Sequence, residues 1–323
     1  MNVAVVVPLL MLAFGTGLLV GAFRTHRRGA MPLIRRPEQW ALSIYTGTSP
    51  TDLVPAQGVS HPVLTANDAS DADADFVADP FLFRHDGRWH LFFELLNRAT
   101  RRGEIALATS PDALTWTYER VVLAEPFHLS YPQVIAADGA IYMVPESQQA
   151  GAVRLYRATD FPTQWTPEAT LLHEGLHDPT LFRHDGRWWM FASVWHHTLR
   201  LFHADTITGP WHEHPQSPVV TDDPEWARPA GRVVLVDGVL TRFAQDCTGL
   251  YGASVRAARI TTLTVDTYAE TRVPGPPVVS GSGSGWNAQR MHHVDAHQQP
   301  DGTWLAAVDG DAGQKLTVDL RDV

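Results

Sequence analysis

"LFRHDGRW" occurs twice, at Leu82–Trp89 and at Leu181–Trp188. Extended outward, "DPFLFRHDGRWHLFFE" (Asp79–Glu94) and "DPTLFRHDGRWWMFAS" (Asp178–Ser193) are identical at 11 of 16 positions. Strand-favouring residues flank an Asp-Gly pair in both copies. Asp-Gly between two such runs predicts a tight β-hairpin, because both central turn residues need positive φ. Three weaker copies share that centre: "YPQVIAADGAIYMVPE" (Tyr131–Glu146), "PAGRVVLVDGVLTRFAQ" (Pro229–Gln245) and "HVDAHQQPDGTWLAAVD" (His293–Asp309). The five turn glycines, Gly87, Gly139, Gly186, Gly238 and Gly302, are 52, 47, 52 and 64 residues apart. That period fits a four-stranded propeller blade.

The rest of each unit agrees. "GEIALATS" (Gly103–Ser110), "AVRLYRAT" (Ala152–Thr159) and "TLRLFHAD" (Thr198–Asp205) read as third strands, with Trp116, Trp165 and Trp211 near the start of fourth strands. The fifth unit runs out of chain soon after "KLTVDL" (Lys315–Leu320), and "WALSIYTG" (Trp40–Gly47) is free to complete it. One shared blade would close the ring and remove the open sheet edges. The expected fold is all-β: a five-bladed β-propeller over residues 37–323.

The N-terminus is of another kind. "VAVVVPLLMLAFGTGLLVGAF" (Val3–Phe23) holds 21 residues without a charge, enough to cross a bilayer as a helix. It lacks the basic start and small-residue site of a cleaved signal peptide. Residues 1–30 are therefore expected to be a membrane anchor with a basic linker, making the protein single-pass. Arg24, Arg27 and Arg28 follow directly and would keep the propeller in the cytoplasm, although the side of the membrane stays open. A start at Met31 is the alternative that needs no anchor.

Composition excludes several classes. The formal net charge is -10 and the globular part has no basic patch, so nucleic acid is not an expected partner. A single cysteine, Cys247, excludes an intrachain disulfide. A single lysine, Lys315, argues against Schiff-base chemistry.

In a propeller the innermost strand of a blade starts at one face and the second strand returns to it. Those positions are Asp79 and Glu94, Tyr131 and Glu146, Asp178 and Ser193, then Arg228, Gln245 and Asp246, and finally His293, Asp295 and Asp309. Carboxylates, an arginine and a histidine thus converge on one pit. A repeat needs only apolar strands and turn glycines, and clustered desolvated charges are costly. Paired carboxyls in an aromatic-rimmed pit suit glycosidic bond hydrolysis, in which one is protonated and another ionised. The expected catalytic set is Asp79 as base, Glu146 as acid and Asp178 as the carboxylate that tunes them. Glu94, Tyr131, Arg228, Arg232, Gln245, Asp246, His293 and Asp295 are the expected substrate contacts. Arg228 and Arg232 would hold an anionic sugar substituent or keep a carboxylate ionised. Trp195, Trp226 and Trp286 fall in connections at that face and are placed to stack on sugar rings, although core packing is the better explanation of any one of them taken alone. In "MHHVDAH" (Met291–His297), His293, Asp295 and His297 share one side of a strand and have the chemistry of metal ligands. A hydrogen-bonded strand lining a wet channel also accounts for them, so no metal and no other cofactor is assigned.

Several long motifs carry a family resemblance: "FVADPFLF" (Phe76–Phe83), "PFHLSYPQV" (Pro126–Val134), "YMVPES" (Tyr142–Ser147), "VRLYRATDFPTQW" (Val153–Trp165), "ARPAGRVV" (Ala227–Val234), "RFAQDCTGLYG" (Arg242–Gly252) and "GWNAQRMHHVDAH" (Gly285–His297). Together the chain resembles the N-terminal propeller domain of glucosamine inositolphosphorylceramide transferases, from about Trp40 to Gly310. More distantly it is similar to the propellers of glycoside hydrolase families 43 and 32. In the plant transferases glycosyl transfer belongs to a separate C-terminal domain, so the resemblance implies the propeller and not the transfer reaction. Against the family 43 pattern Asp79 matches the base position. Tyr131 stands where a second aspartate is expected, and His177-Asp178-Pro179 stands where a glutamate precedes Gly-Pro. Two functions follow as expectations: a membrane-tethered glycosidase-like protein acting on a charged or unusual glycan, or a non-catalytic recognition module. The second would serve a glycosyltransferase partner that makes glycolipid or polysaccharide.

Overall fold

The Asp-Gly turns lie where the repeat places them. In a computed structural model, Asp86, Asp138, Asp185 and Asp237 all have φ of 47–49°, and the glycine after each has φ of 76–79°. This is the two-residue hairpin with both central residues left-handed. The fifth turn differs. Only Gly302 has positive φ, and five residues, 299–303, join Val294–Gln298 to Trp304–Asp311. There the Asp301 carboxylate accepts from the backbone N–H and hydroxyl of Thr303.

The structure describes residues 34–35, 38–314 and 317–318. The Val3–Phe23 segment lies outside them. Among the described residues no helix is long and apolar enough to cross a membrane.

Residues 39–313 form one unit, made of five antiparallel sheets. Blade one runs Ala74–His85, Arg88–Asn97, Arg102–Ser110, Thr117–Leu123. Blade two runs Ser130–Ala137, Ala140–Glu146, Val153–Asp160, Gln164–Leu172. Blade three runs His177–His184, Arg187–Val194, Thr198–Ala204, His212–Glu213. Blade four is irregular on its inner side, where Arg228–Pro229 and Val234–Val236 share the partner Val239–Asp246. Blade five joins Val294–Gln298 and Trp304–Asp311 to the N-terminal strands Trp40–Ser49 and Asp52–Pro55. Trp40 pairs with Asp311 and Gly47 with Trp304, so the two ends of the domain share one sheet.

That pairing corrects the reading of "KLTVDL". Trp40–Ser49 fills the place beside Trp304–Asp311, and Thr317–Val318 pairs instead with Ile34–Arg35 in a separate two-residue ladder. This ladder lies outside the unit of residues 39–313.

Side-chain alternation builds the ring. In Arg88–Asn97, Leu91 and Phe93 pack with Leu42 and Ile44 of blade five, whereas Phe92 packs with Val134 and Met143 of blade two. Period-two alternation gives each strand two apolar faces, one for each neighbouring blade. Further clusters join blades two and three (Val144, Leu181), three and four (Phe182, Ala244), and four and five (Phe243, Val294). The fourth-strand tryptophans have a shared local task. The indole N–H groups of Trp116, Trp165 and Trp211 donate to the carbonyls of Ala113, Pro162 and Ile207 in the turns just before them.

Candidate functional site

Three blades enter the channel in the same way. Asp79, Tyr131 and Asp178 each have φ of 49–53°, each precedes a proline, and each lies in a β-bulge of the innermost strand, Tyr131 and Asp178 at its start and Asp79 midway along Ala74–His85. A bulge re-aims a side chain and is common beside functional sites. Aspartate tolerates left-handed backbone, but a tyrosine there is strained and must be held. Tyr131 is fully buried, and its hydroxyl accepts from the Gly231 N–H at 2.7 Å and meets Thr180 Oγ1 at 2.8 Å. Gly231 has φ of +127°, and a Cβ there would come within 1.9 Å of the Val294 carbonyl, so blades four and five approach closely only with glycine.

Asp178 and Arg228 form the centre of the mouth. Arg228 Nε donates to Asp178 Oδ2 at 2.6 Å and its Nη2 to Oδ1 at 3.3 Å. Gln245 Nε2 also donates to Asp178 Oδ2, at 2.9 Å. Glu146 Oε2 accepts from the Asp178 backbone N–H at 3.3 Å and lies 3.5 Å from Arg228 Nη2. Burial alone would raise the Asp178 pKa, but the Arg228 charge and hydrogen bonds hold it below the ordinary carboxylate value. Glu146 goes the other way. Burial and then the Asp178 charge push it well up, so it is the member of the pair that keeps a proton. The Arg228 guanidinium lies over the Tyr251 ring at 5.1 Å, with His196 Nδ1 3.3 Å from Nη1.

Asp79 faces blade five. Its Oδ1 is 3.9 Å from His292 Nδ1 and 3.8 Å from His293 Nδ1. Burial raises its pKa strongly; His292 opposes this, while the charges of Glu94, Asp178 and Asp309 add to it. Asp309 accepts backbone N–H groups of Asp79, His292 and His293 at 3.0–3.1 Å, and its Oδ2 is 2.7 Å from His292 Nδ1. Burial disfavours a charged His292, yet Asp309 and then Asp79 raise its pKa. His292 also stacks on Trp40 with centroids 4.0 Å apart. His293 is fully buried between Phe81 and Tyr131 with both ring nitrogens unpartnered, and burial lowers its pKa to about 4.

The remaining expected contacts separate into mouth and channel. Glu94 is at the mouth, 3.3 Å from His128 Nε2. Asp246, half-buried, accepts from the Thr248 N–H. Arg232 and Asp295 are in the channel. Asp295 is bonded to the Arg232 guanidinium, accepts the Leu82 N–H at 2.6 Å, and meets His297 Nε2 at 3.1 Å. Arg232 Nη2 donates to the Leu82 carbonyl at 3.0 Å. These two side chains therefore complete the hydrogen bonding of an inner strand, as Gln133 does for Leu181. Of the three tryptophans, Trp195 is 61% exposed and lies 5.4 Å from the His177 ring. Trp226 is buried under Arg272, and Trp286 packs against the cluster joining blades four and five.

Sequence reasoning missed His292, His128, His196 and Tyr251. Taking His293, Asp295 and His297 as one strand face hid His292. The regular strand begins only at Val294, so His292 and His293 both turn inward on irregular backbone. The other three lie in connections, where no strand period points to them.

The ring, the bulged inner strands and the polar mouth define the propeller class that glycoside hydrolases also use. A putative glycosidase from Bacteroides thetaiotaomicron superposes with a TM-score of 0.60 at 13% identity, covering 84% of this chain and 96% of that one. The catalytic domain of a GH62 alpha-L-arabinofuranosidase from Coprinopsis cinerea gives 0.55 at 14% identity, covering 86% and 98%. These likenesses establish the fold. Within that class, residues 36–311 match the model of the glucosamine inositolphosphorylceramide transferase 1 N-terminal domain, and the chain belongs to that family. It is 37% identical to glucosamine inositolphosphorylceramide transferase 1 of Oryza sativa subsp. japonica over 91% of this chain, and 34% identical to the Arabidopsis thaliana protein over 84%. The matches cover 43% and 39% of those relatives, so the chain spans less than half of their length.

Proposed function

We propose that the mouth of this propeller binds a carbohydrate or a glycolipid head group without cleaving it. One observation carries the reading. Of the three nominated catalytic carboxyls, Asp178 is held ionised but spends its oxygens on Arg228 and Gln245, while Asp79 and Glu146 are both pushed towards the protonated form. Hydrolysis needs a protonated carboxyl and an ionised one that is free to act on water or the sugar. Two carboxyls biased towards the protonated form beside a locked ion pair instead present hydrogen-bond donors and acceptors, and Trp195 adds an apolar face for a sugar ring.

Family membership supports a carbohydrate-linked role and a glycosyltransferase as partner, given the names of the relatives. Val3–Phe23 supports presentation of the propeller from a membrane by a single span. The full chain is then expected in the membrane fraction, and a chain beginning at Met31 in the soluble fraction with its ligand binding intact. Full-length protein in the soluble fraction would remove the tether.

Hydrolysis is the second reading. It is favoured by His292, whose positive charge 3.9 Å from Asp79 draws that carboxyl towards ionisation opposite the protonated Glu146. Screening the protein on a glycan array and recovering the bound glycan tests both: intact glycan supports recognition, and a new reducing end supports hydrolysis.

A further inference from the structure

We propose that Asp79, His292 and Asp309 form a binding site for a divalent transition-metal ion at the mouth of the channel. Among the described residues this is the one group of three metal-type side chains whose ligand atoms all lie within 4.8 Å of one another. Ligand atoms about 2.1 Å from a shared ion lie roughly 3–4 Å apart. Of the observed separations, 3.9 Å from His292 Nδ1 to Asp79 Oδ1 lies within that range, and 2.7 Å from His292 Nδ1 to Asp309 Oδ2 lies a few tenths of an ångström below it, the length of the hydrogen bond that an ion would replace.

A second observation is independent of the three ligands. His293 is fully buried, both its ring nitrogens lack a hydrogen-bond partner, and its Nδ1 faces Asp79 Oδ1 at 3.8 Å, too far for a hydrogen bond. A buried, unpartnered imidazole is costly. An ion on Asp79 would give the Nδ1 lone pair a positive charge to face. The supporting contacts are also present: Asp309 is fixed by three backbone N–H groups, and the His292 ring is clamped on Trp40. Such outer contacts orient metal ligands and sharpen affinity.

One imidazole and two carboxylates suit a first-row divalent ion such as Zn2+, Mn2+ or Co2+ better than Ca2+, which takes an all-oxygen shell. Binding displaces the proton from His292 Nδ1 and the proton that burial favours on Asp79, so the ion replaces the His292–Asp309 ion pair and draws Asp79 into its carboxylate form. The site does not depend on the carbohydrate reading, and it is tested without a glycan.

The full chain, stripped with a chelator, is titrated with Co2+. Binding is followed by visible absorption and by elemental analysis after dialysis. One equivalent is expected. Asp79→Asn and His292→Gln should each weaken it by roughly tenfold or more with circular dichroism unchanged. Asparagine suits the left-handed backbone at Asp79, so that variant keeps the local fold. His212→Asn, at an exposed histidine beside the half-buried His203, should leave Co2+ binding unchanged. The site is overturned by the absence of stoichiometric Co2+, by binding of Ca2+ alone, or by Co2+ that survives both mouth variants.

Discussion

Asp178 of blade three reaches across the mouth to Arg228 of blade four, with Oδ2 2.6 Å from Nε, and both side chains are buried. This pair joins two blades and sets the charge of everything near it. Removing one partner of a buried pair leaves an uncompensated charge, which costs more than the intact pair gains. Arg228→Ala is therefore expected to lower stability by about 3–5 kcal/mol in urea unfolding. Adding Asp178→Asn should recover part of the loss. A double variant no more stable than Arg228→Ala would show that Asp178 is not the charge being neutralised.

The same pair fixes a pH dependence. Glu146 has a raised pKa in the folded chain, so from its ordinary value of 4.5 upward the folded form holds a proton that the unfolded form has released. Its contribution to stability is complete below that value and is lost as pH rises through the folded value. Asp178, with a lowered pKa, has the opposite sign: its contribution is present above 3.8 and is lost as pH falls. Glu146→Gln removes the first effect, while Arg228 still holds Asp178 below its ordinary value. Thermal melts of the two proteins should then converge in acid, with wild type losing stability relative to the variant towards neutral pH. Parallel curves would mean that Glu146 titrates normally.

Much of the fold is readable because it is made by local devices. Asp-Gly between two strands favours a left-handed turn, as four of the five copies show, and alternating apolar residues need two faces to bury. The fifth turn escaped because Gly302 lies in a longer loop whose Asp301 acts as a cap. "KLTVDL" escaped because strand propensity does not say which strand is the partner. At the site, carboxyls at strand ends could be placed by counting, so Asp79, Glu146 and Asp178 were legible. Their protonation was not. It depends on Arg228 and His292, 50 and 213 residues further along the chain, and on burial that no single strand reveals.

Tyr131 should act through shape. Tyr131→Phe removes the acceptor for the buried Gly231 N–H and is expected to cost about 1–3 kcal/mol in unfolding experiments. Ligand affinity should be unchanged, because the ring is fully buried. A large loss of affinity at unchanged stability would place the hydroxyl in direct contact with the ligand.

Trp195 should behave in the opposite way. It is exposed, so Trp195→Ala should leave the melting temperature within a degree or so, while losing a ring-stacking contact of about 1 kcal/mol, several-fold in Kd. Calorimetry with whichever glycan the array identifies measures this directly. Unchanged affinity would remove Trp195 from the site.

The central claim is recognition without cleavage at a mouth organised by Asp178, Arg228 and Glu146. The most direct measurement incubates the protein with its array-selected glycan and follows the sugar by mass spectrometry, alongside the Glu146→Gln variant. The account predicts saturable binding, with the glycan recovered intact from both proteins. A new reducing end that accumulates with wild type and is lost with Glu146→Gln would contradict it.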